Sequence, residues 1–209
     1  MSYMWEEVEK KRYSKALKWF EQRTLVKALG NSGRNSCLDI GGGFGHRFPV
    51  NCENYTLLEM DPEAIAIFRR NFPEGRFIEG DFLTLNFKEK YDVILMVQLS
   101  TDAEHINKMV AKAYSLLNEE GMILFTTTNK SSYKGLLYST GWYGYQEPYS
   151  ALKKFLKTLR ASSIKYYGYG WPPFRRDSDS ILIPMLKWID VVLGKFVSIS
   201  PWLFIVVKK

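Results

Sequence analysis

A glycine-rich turn near the start of the chain carries the first residues that could do chemistry. In CLDIGGGFGHRFP, Asp39 is followed at alternate positions by Gly41, Gly43 and Gly45. Glycine is costly in regular structure, so this spacing predicts either a turn that leaves bare backbone for a ligand or a tight strand-to-helix turn that holds none. His46 stands where a dinucleotide-binding loop needs its third glycine, and no Gly-Lys-Ser/Thr follows. These two phosphate-binding loops are therefore excluded.

Two further acids follow apolar segments downstream of the turn. Glu59 ends the segment YTLLE, and Asp81 ends RFIEGD. A carboxylate at the first position can accept hydrogen bonds from both hydroxyls of a ribose, and one at the second can accept from an exocyclic amine. Each acid alone could be solvated or could cap a helix. Acids that end successive parallel strands meet in one crevice, so Asp39, Glu59 and Asp81 together favour a nucleoside site.

The elements that must position these acids alternate along the chain. Apolar, strand-like segments are separated by helical ones, and the helix DPEAIAIFRRNF begins with Asp61 as N-cap and Pro62 at its first position. This rhythm predicts an α/β, Rossmann-like, doubly wound and mostly parallel sheet of about seven strands, with helices on both faces. We expect a single domain over residues 1–209, with a helical cap at 1–30, a core at 36–129, and an aromatic lid with the final strands at 130–209.

The motifs of residues 36–129 resemble those of class I S-adenosylmethionine-dependent methyltransferases, in the broad small-molecule group called type 11. LDIGGGFG resembles the first motif of the family, LLEMDPEAI the second-strand acid, and FIEGDF the adenine-side motif. YDVILMVQL and SLLNEEGMILFTTTN resemble the fourth-strand and fifth-strand blocks. The resemblance implies that the chain binds S-adenosylmethionine and releases S-adenosylhomocysteine, whereas it says almost nothing of the acceptor.

The resemblance also implies ten cofactor-binding positions. The methionine end of the cofactor would be held by Asp39, Gly41, Gly43 and Gly45, and the ribose by Glu59. The adenine would be bound by Met60, Asp81 and Phe82, and the floor of the site would be lined by Val97 and Gln98. Methyl transfer from a sulfonium needs positioning above all, and a general base only where the acceptor carries a proton. The resemblance therefore implies an enzyme without a metal.

The chain departs from the family just after the fourth strand. Many relatives read LEH there, whereas Thr101 and Asp102 occupy the last two of those positions here and His105 comes three residues later. His105 is a weak candidate for a base, the alternative being a solvated histidine in the first turn of a helix. The missing histidine also leaves open a regulator that binds S-adenosylmethionine without turnover.

Aromatic residues concentrate where the acceptor should bind. Residues 133–174 hold many tyrosines and tryptophans, and Tyr13, Trp19 and Phe20 could roof them from the N-terminal helical segment. This density predicts either an aromatic acceptor pocket or a small additional core under a lid. The first reading favours a small-molecule or lipid-like acceptor.

The net charge of +7 lies in the last third of the chain, where residues 150–209 hold eleven Lys and Arg against three Asp. A phosphate-bearing acceptor, a membrane surface or RNA could face this excess, or it could be a solvated face. An RNA methyltransferase is therefore the second hypothesis, although the sequence holds no recognised RNA module and no DNA-binding motif. The basic residues concerned are Lys153, Lys154, Lys157, Arg160, Arg175 and Arg176.

Localisation is inferred from the segments that the sequence lacks. The N-terminal segment is charged from Glu6 onward, and the long apolar stretch near the C-terminus is interrupted by charges, which predicts a cytoplasmic protein. Two cysteines are too few for a disulfide framework and match no metal-ligand spacing. We expect Cys37, in an apolar segment, to act as a small buried hydrophobic residue.

Overall fold

One mixed sheet runs through the described part of the computed structural model, which comprises residues 10–30, 34–45, 52–99, 101–137, 147–171, 178–186 and 188–209. Its strands lie side by side in the order β3-β2-β1-β4-β5-β7-β6. The strands are β1 Arg34–Ile40, β2 Cys52–Glu59, β3 Arg76–Glu79, β4 Tyr91–Met96, β5 Leu117–Thr128, β6 Ser163–Tyr169 and β7 Trp202–Lys208. The first five are parallel, and β7 runs antiparallel between β5 and β6. The prediction of a mostly parallel, Rossmann-like sheet of about seven strands is confirmed.

Helices cover both faces of this sheet, as the unbroken apolar character of β4 requires. Ile94 of β4 is buried with the apolar residues of one cluster, and its neighbour Leu95 is buried with those of a second. Successive side chains of a strand point to opposite faces, so each face must be covered. The helices are α1 Arg12–Leu29, α2 Pro62–Asn71, α3 Ala103–Ser115, α4 Tyr133–Leu137, α5 Tyr149–Lys157, α6 Ile183–Leu186 and α7 Ile189–Leu193.

Polar caps fix where two of these helices begin. Asp61 accepts a hydrogen bond from the Glu63 backbone N–H at 2.9 Å, with Pro62 at the first helical position, as the sequence predicted for α2. Asp102 caps α3 in the same way, through the backbone N–H of His105 at 2.9 Å. Both caps lie at the edge of the sheet where the parallel strands end.

The apolar segment before the last strand is predicted from the sequence to form one helix around 181–196, and the structure differs. It forms the two short helices α6 and α7 and then a 3-10 turn at Val197–Ile199. Close packing accompanies the end of α7, because Gly194 O accepts a hydrogen bond from Gly168 N of β6 at 3.2 Å. A side chain at Gly194 would overlap the Gly168 carbonyl. Tertiary contact therefore overrides the local helical preference.

The two cysteines are bonded to each other. Cys37 is buried, with 2% of its surface exposed, as predicted, but it forms a disulfide with Cys52. The expectation that it is only a small buried hydrophobic residue is therefore wrong. Neighbouring parallel strands bring the two Cα atoms to 6.2 Å, within the usual range for a disulfide. The bond joins the two strands on either side of the glycine-rich turn.

Candidate functional site

The three acids singled out in the sequence lie at one edge of the sheet. Asp39 is the next-to-last residue of β1, Glu59 ends β2, and Asp81 follows β3 by two residues. The order β3-β2-β1-β4 makes these strands neighbours, about 4.8 Å apart. The structure therefore brings the acids to the carboxyl-end crevice of the parallel strands, where open α/β sheets bind their ligands.

The glycine turn between β1 and β2 has one position with free space. Gly41, Gly43 and Gly45 have φ values of +63°, +59° and +72°, a region that side chains disfavour. A Cβ at Gly45 would overlap the buried Phe68 ring, so packing requires this glycine, whereas one at Gly41 would displace only the end of the Leu99 side chain. A Cβ at Gly43 would meet nothing within 4 Å. Gly43 therefore presents bare backbone to open space, which fits a ligand cradle.

Glu59 ties this turn to the end of β2. Its Oε2 accepts a hydrogen bond from Gly43 N at 2.9 Å, and its Oε1 accepts from Met60 N at 2.8 Å and Asp61 N at 3.2 Å. Three backbone donors therefore fix the orientation of the carboxylate. Oε1 already accepts two bonds and Oε2 accepts one, so one ribose hydroxyl could reach Oε2 directly and a second would replace the longer bond from Asp61 N.

Asp39 and Asp81 are held in different ways. Asp39 is fully buried, and its Oδ2 accepts a hydrogen bond from the Tyr55 hydroxyl at 2.6 Å. Asp81 is half-buried and turns its Oδ1 to the Leu83 N–H at 2.9 Å. The carboxylates of this crevice are hydrogen-bond acceptors, which suit the hydroxyls and amines of a nucleoside with an amino-acid tail.

The remaining predicted positions differ in how much they expose. Met60 is 62% exposed, whereas Phe82 and Val97 each expose 2%. The Phe82 ring lies in the core, with its centroid 5.4 Å from that of Phe87 and 5.2 Å from the Lys112 ammonium. The part of Phe82 that remains for a ligand is therefore its backbone.

The candidate base His105 lies on the surface of α3. Its side chain is 54% exposed, and its Nδ1 lies 2.8 Å from Oδ2 of the N-cap residue Asp102. The hydrogen bond from the His105 backbone lowers the pKa of Asp102. This position fits the solvated helical histidine that the sequence left as the alternative.

A buried carboxylate that the motifs did not reveal faces the end of β4. Glu21 of α1 is 6% exposed and accepts hydrogen bonds from Gln98 Nε2 at 2.8 Å to both oxygens and from the Tyr169 hydroxyl at 2.6 Å. Gln98 has a positive φ of 59°, which is strained for a residue with a side chain. The strained backbone and the carboxylate together hold the Gln98 amide next to the crevice.

The sequence does hold a signal for Glu21. The residue falls on the buried stripe of α1, between Leu17, Phe20 and Leu25. An acid on the apolar side of a helix needs a polar partner. Its partners lie 77 and 148 positions away in the chain, so the sequence pattern could flag the residue but could not name them.

Two ionisable side chains of opposite charge, one on α4 and one on α7, are buried and interact electrostatically. Lys134 of α4 and Asp190 of α7 expose 4% and 2% of their surfaces. Burial lowers the pKa of Lys134 to about 7, although the charge of Asp190 opposes this shift. Burial likewise raises the pKa of Asp190 to about 6, against the Trp171 N–H at 2.8 Å and the charge of Lys134. Desolvation therefore outweighs the attraction between the two groups.

This pair should give the stability of the protein a distinctive pH dependence. Between pH 7 and the ordinary lysine pKa, the unfolded chain binds more protons at Lys134, so stability rises with pH. Between the ordinary aspartate pKa and pH 6, the folded chain binds more protons at Asp190, so stability falls as pH rises. We expect the unfolding free energy to increase by roughly 1–2 kcal/mol from pH 7 to pH 9, and the double variant Lys134→Met/Asp190→Leu to lose this rise. Urea denaturation at several pH values measures both, and an equal rise in the variant would contradict the assignment.

The aromatic residues near the expected acceptor site serve mainly as core where the structure describes them. Tyr169 is fully buried and stacks on Phe20, with centroids 4.9 Å apart, while Tyr149 meets Tyr166 edge-on at 5.5 Å. Phe20, Tyr166 and Tyr167 also line a cleft beside β6. Five of the expected residues and the side chain of Tyr13 lie outside the described part: Tyr138, Trp142, Tyr143, Tyr145 and Phe174.

A model of one protein family matches the middle of the chain. Residues 37–121 match the model of a methyltransferase domain. The matched segment begins in β1 and ends in β5, so it contains the glycine turn and all three acids of the crevice.

Curated relatives match a shorter segment. The chain is 35% identical over 68 residues to ribosomal RNA small subunit methyltransferase A of Chlorobium chlorochromatii, which covers 31% of this chain and 26% of the relative. The matching enzyme of Chlorobaculum parvum is 38% identical over 64 residues, 29% of this chain and 23% of the relative. The chain thus spans about a quarter of the length of the curated relatives it matches.

Solved structures match the whole fold at low identity. A SAM-dependent methyltransferase of Archaeoglobus fulgidus has a TM-score of 0.66 and 15% identity, with both chains covered completely. The N-methyltransferase NodS of Bradyrhizobium japonicum, in complex with S-adenosylhomocysteine, has a TM-score of 0.65 and 13% identity over 97% of this chain and 90% of its own. The chain has the same fold as these two structures.

Proposed function

We propose that the protein is a class I S-adenosylmethionine-dependent methyltransferase that moves the methyl group of its cofactor to a small-molecule or lipid-like acceptor. The observation that carries the proposal is that Glu59 and Asp81 lie at the ends of neighbouring strands, with the backbone of Gly43 bonded to Glu59 and with Asp39 buried at the end of β1. The matched domain model supplies the reaction class.

The ten residues predicted from the motifs form the cofactor site in this proposal. Glu59 accepts the ribose hydroxyls, Asp81 accepts from the adenine amine, and the turn at Gly43 admits the amino-acid end. Glu59 already holds the Gly43 N–H, so ribose and turn are aligned by one carboxylate. The others contribute the walls and floor: Asp39, Gly41, Gly45, Met60, Phe82, Val97 and Gln98.

In this proposal the protein aligns the two reactants and excludes water from the site of methyl transfer. When bound, the cofactor would supply a methyl group on a sulfonium sulfur. The acceptor atom would attack the methyl carbon in line with the carbon–sulfur bond, and the electron pair of that bond would stay on the sulfur. Alignment of the two reactants accounts for much of such a rate enhancement. Glu21, Gln98 and Tyr169 are proposed to line the acceptor side, because their hydrogen-bonded cluster adjoins the end of β4 and excludes water there.

The second hypothesis, an RNA acceptor, has two observations in its favour. The curated relatives that match part of the core are ribosomal RNA methyltransferases, and the last third of the chain is basic. Phosphate contacts would make such binding strongly dependent on salt. The third hypothesis, a regulator without turnover, predicts binding of the cofactor and no transfer.

Transfer of a labelled methyl group separates these hypotheses. The protein is incubated with methyl-labelled S-adenosylmethionine and, separately, with a lipid extract, a pool of small metabolites or total RNA. We expect label in the lipid or metabolite product and none in RNA. Label in RNA alone would establish the second hypothesis, and cofactor binding with no labelled product in any pool would favour the third.

A further inference from the structure

The last helices expose an unusual amount of apolar surface. Eight large apolar side chains between residues 181 and 199 are 36% to 76% exposed, and we call them the apolar strip. They are Ile181, Leu182, Met185, Trp188, Val191, Val192, Phe196 and Ile199. Isolated apolar side chains are normal on protein surfaces, but a concentration of this size within nineteen residues marks an interaction site.

The strip lies on several short elements and not on the face of one helix. Its members span the turn before α6, the helices α6 and α7, and the 3-10 turn at Val197–Ile199. On α7, Val191 and Val192 are 36% and 65% exposed, whereas Asp190 exposes 2%. In a surface helix of a globular protein the charged residue faces water and the apolar ones face the core. The inversion on α7 indicates that its outer face meets another apolar phase.

Positive charge borders the strip. A cleft of about 390 Å³ lies between α1, β6 and α7, and Arg23, Lys27 and Lys195 are exposed at this cleft. Beside the cleft the strip touches α1, because the Trp188 ring lies 5.1 Å from the Trp19 ring. Among the residues that the structure describes, none of these three side chains takes part in an ion pair. The acid in the cleft, Asp190, is turned inward to the Trp171 N–H. An anionic partner is therefore complementary to this border.

We propose that the apolar strip docks on an anionic lipid surface, with Arg23, Lys27 and Lys195 contacting lipid phosphates. Exposed tryptophan, phenylalanine and branched aliphatic side chains beside lysine and arginine are the composition of interfacial segments. Nucleic-acid interfaces are polar and positively charged, whereas the strip consists of apolar side chains, which favours a lipid surface over RNA. None of the described helices is long and apolar enough to cross a membrane, so contact is with the surface.

The docking surface lies close to the acceptor side of the crevice. Phe20 lines the cleft and stacks on Tyr169, whose hydroxyl donates to Glu21. A lipid-like acceptor could thus approach the methyl group from the docked face. The docking proposal stands without methyl transfer, since it rests on exposed side chains and charge alone.

Vesicle binding tests the proposal. Sedimentation with vesicles of phosphatidylcholine containing about 30% phosphatidylglycerol should capture the protein, and pure phosphatidylcholine vesicles should capture much less. The variant Val192→Ser/Phe196→Ser should lose about tenfold or more in partition coefficient. Leu136→Ser is the matched control, because Leu136 is 76% exposed on α4 outside the strip.

Charge variants test the border of the strip. Lys27→Gln/Lys195→Gln should lower binding to anionic vesicles about tenfold, whereas Lys154→Gln/Lys157→Gln, which removes equal charge from α5, should lower it less. S-adenosylhomocysteine affinity, measured on every variant, reports whether the fold and the cofactor site are intact.

Four results would overturn the docking proposal. They are wild-type protein that ignores anionic vesicles at about 1 mM lipid, undiminished binding by the serine variant, RNA binding that exceeds vesicle binding, and a dimer that the serine substitutions dissociate. The last would identify a second copy of the chain as the partner. Vesicle binding without S-adenosylhomocysteine binding would refute the methyl-transfer proposal alone.

Discussion

Replacing Gly43 with leucine is expected to weaken S-adenosylhomocysteine binding by about 100-fold or more, equivalent to about 2.7 kcal/mol. The added side chain would enter the space in front of the glycine turn, where no atom of the described residues lies within 4 Å of a Cβ. The fold should survive, because nothing in the described structure collides with that Cβ. The backbone at φ +59° adds a penalty of about 1–2 kcal/mol to the folded state.

Gly30 provides the matched control for this variant. It has a φ of +65° at the C-terminus of α1, and a Cβ there also meets nothing within 4 Å. With a ψ of −160°, Gly30 lies in a region essentially restricted to glycine, so Gly30→Leu should lower the unfolding free energy at least as much and leave the affinity unchanged. Calorimetry and thermal denaturation measure both quantities, and equal affinity losses in the two variants would remove Gly43 from the ligand site.

Removing the Glu21 carboxylate is expected to lower the unfolding free energy by about 2–4 kcal/mol. In Glu21→Ala, the Gln98 amide and the Tyr169 hydroxyl lose an acceptor in a site that is closed to water. A buried donor that loses its acceptor costs about 1–3 kcal/mol. Gln22→Ala, at the neighbouring exposed position of α1, should cost less than about 0.5 kcal/mol.

A double-mutant cycle isolates the contact between Glu21 and Tyr169. Tyr169→Phe should cost about 1 kcal/mol in the wild-type background and little in the Glu21→Ala background, because its hydrogen-bond acceptor has then gone. Urea denaturation of the four proteins gives the coupling energy. Costs that simply add would show that this cluster does not act as a unit, and would remove it from the account of the acceptor side.

The crevice could be predicted from the sequence because its information is local. Asp39, Glu59 and Asp81 each end an apolar segment, and parallel strands place such ends at one edge without further detail. Similarly, Asp61 and Pro62 specify the start of α2 within two residues. Where neighbouring residues decide the geometry, the prediction held.

Other features depend on contacts between distant parts of the chain. Glu21 finds Tyr169 across 148 positions, and no motif records that distance. The sequence predicts a single helix around 181–196, whereas the structure has two short helices, the second of which ends where Gly194 packs on β6. Cys37 meets Cys52 because β1 and β2 are neighbours, which the count of cysteines did not indicate. The contacts of the ten predicted residues with the cofactor stay a prediction, since they need the ligand itself.

Calorimetric titration with S-adenosylhomocysteine is the most direct test of the proposed cofactor site. We expect one S-adenosylhomocysteine site per chain, with a dissociation constant of about 1–100 μM. Glu59→Gln and Asp81→Asn should each weaken it at least about tenfold, since each removes a charged acceptor from a hydrogen bond. Absence of binding at about 1 mM ligand, or wild-type affinity in both variants, would contradict it.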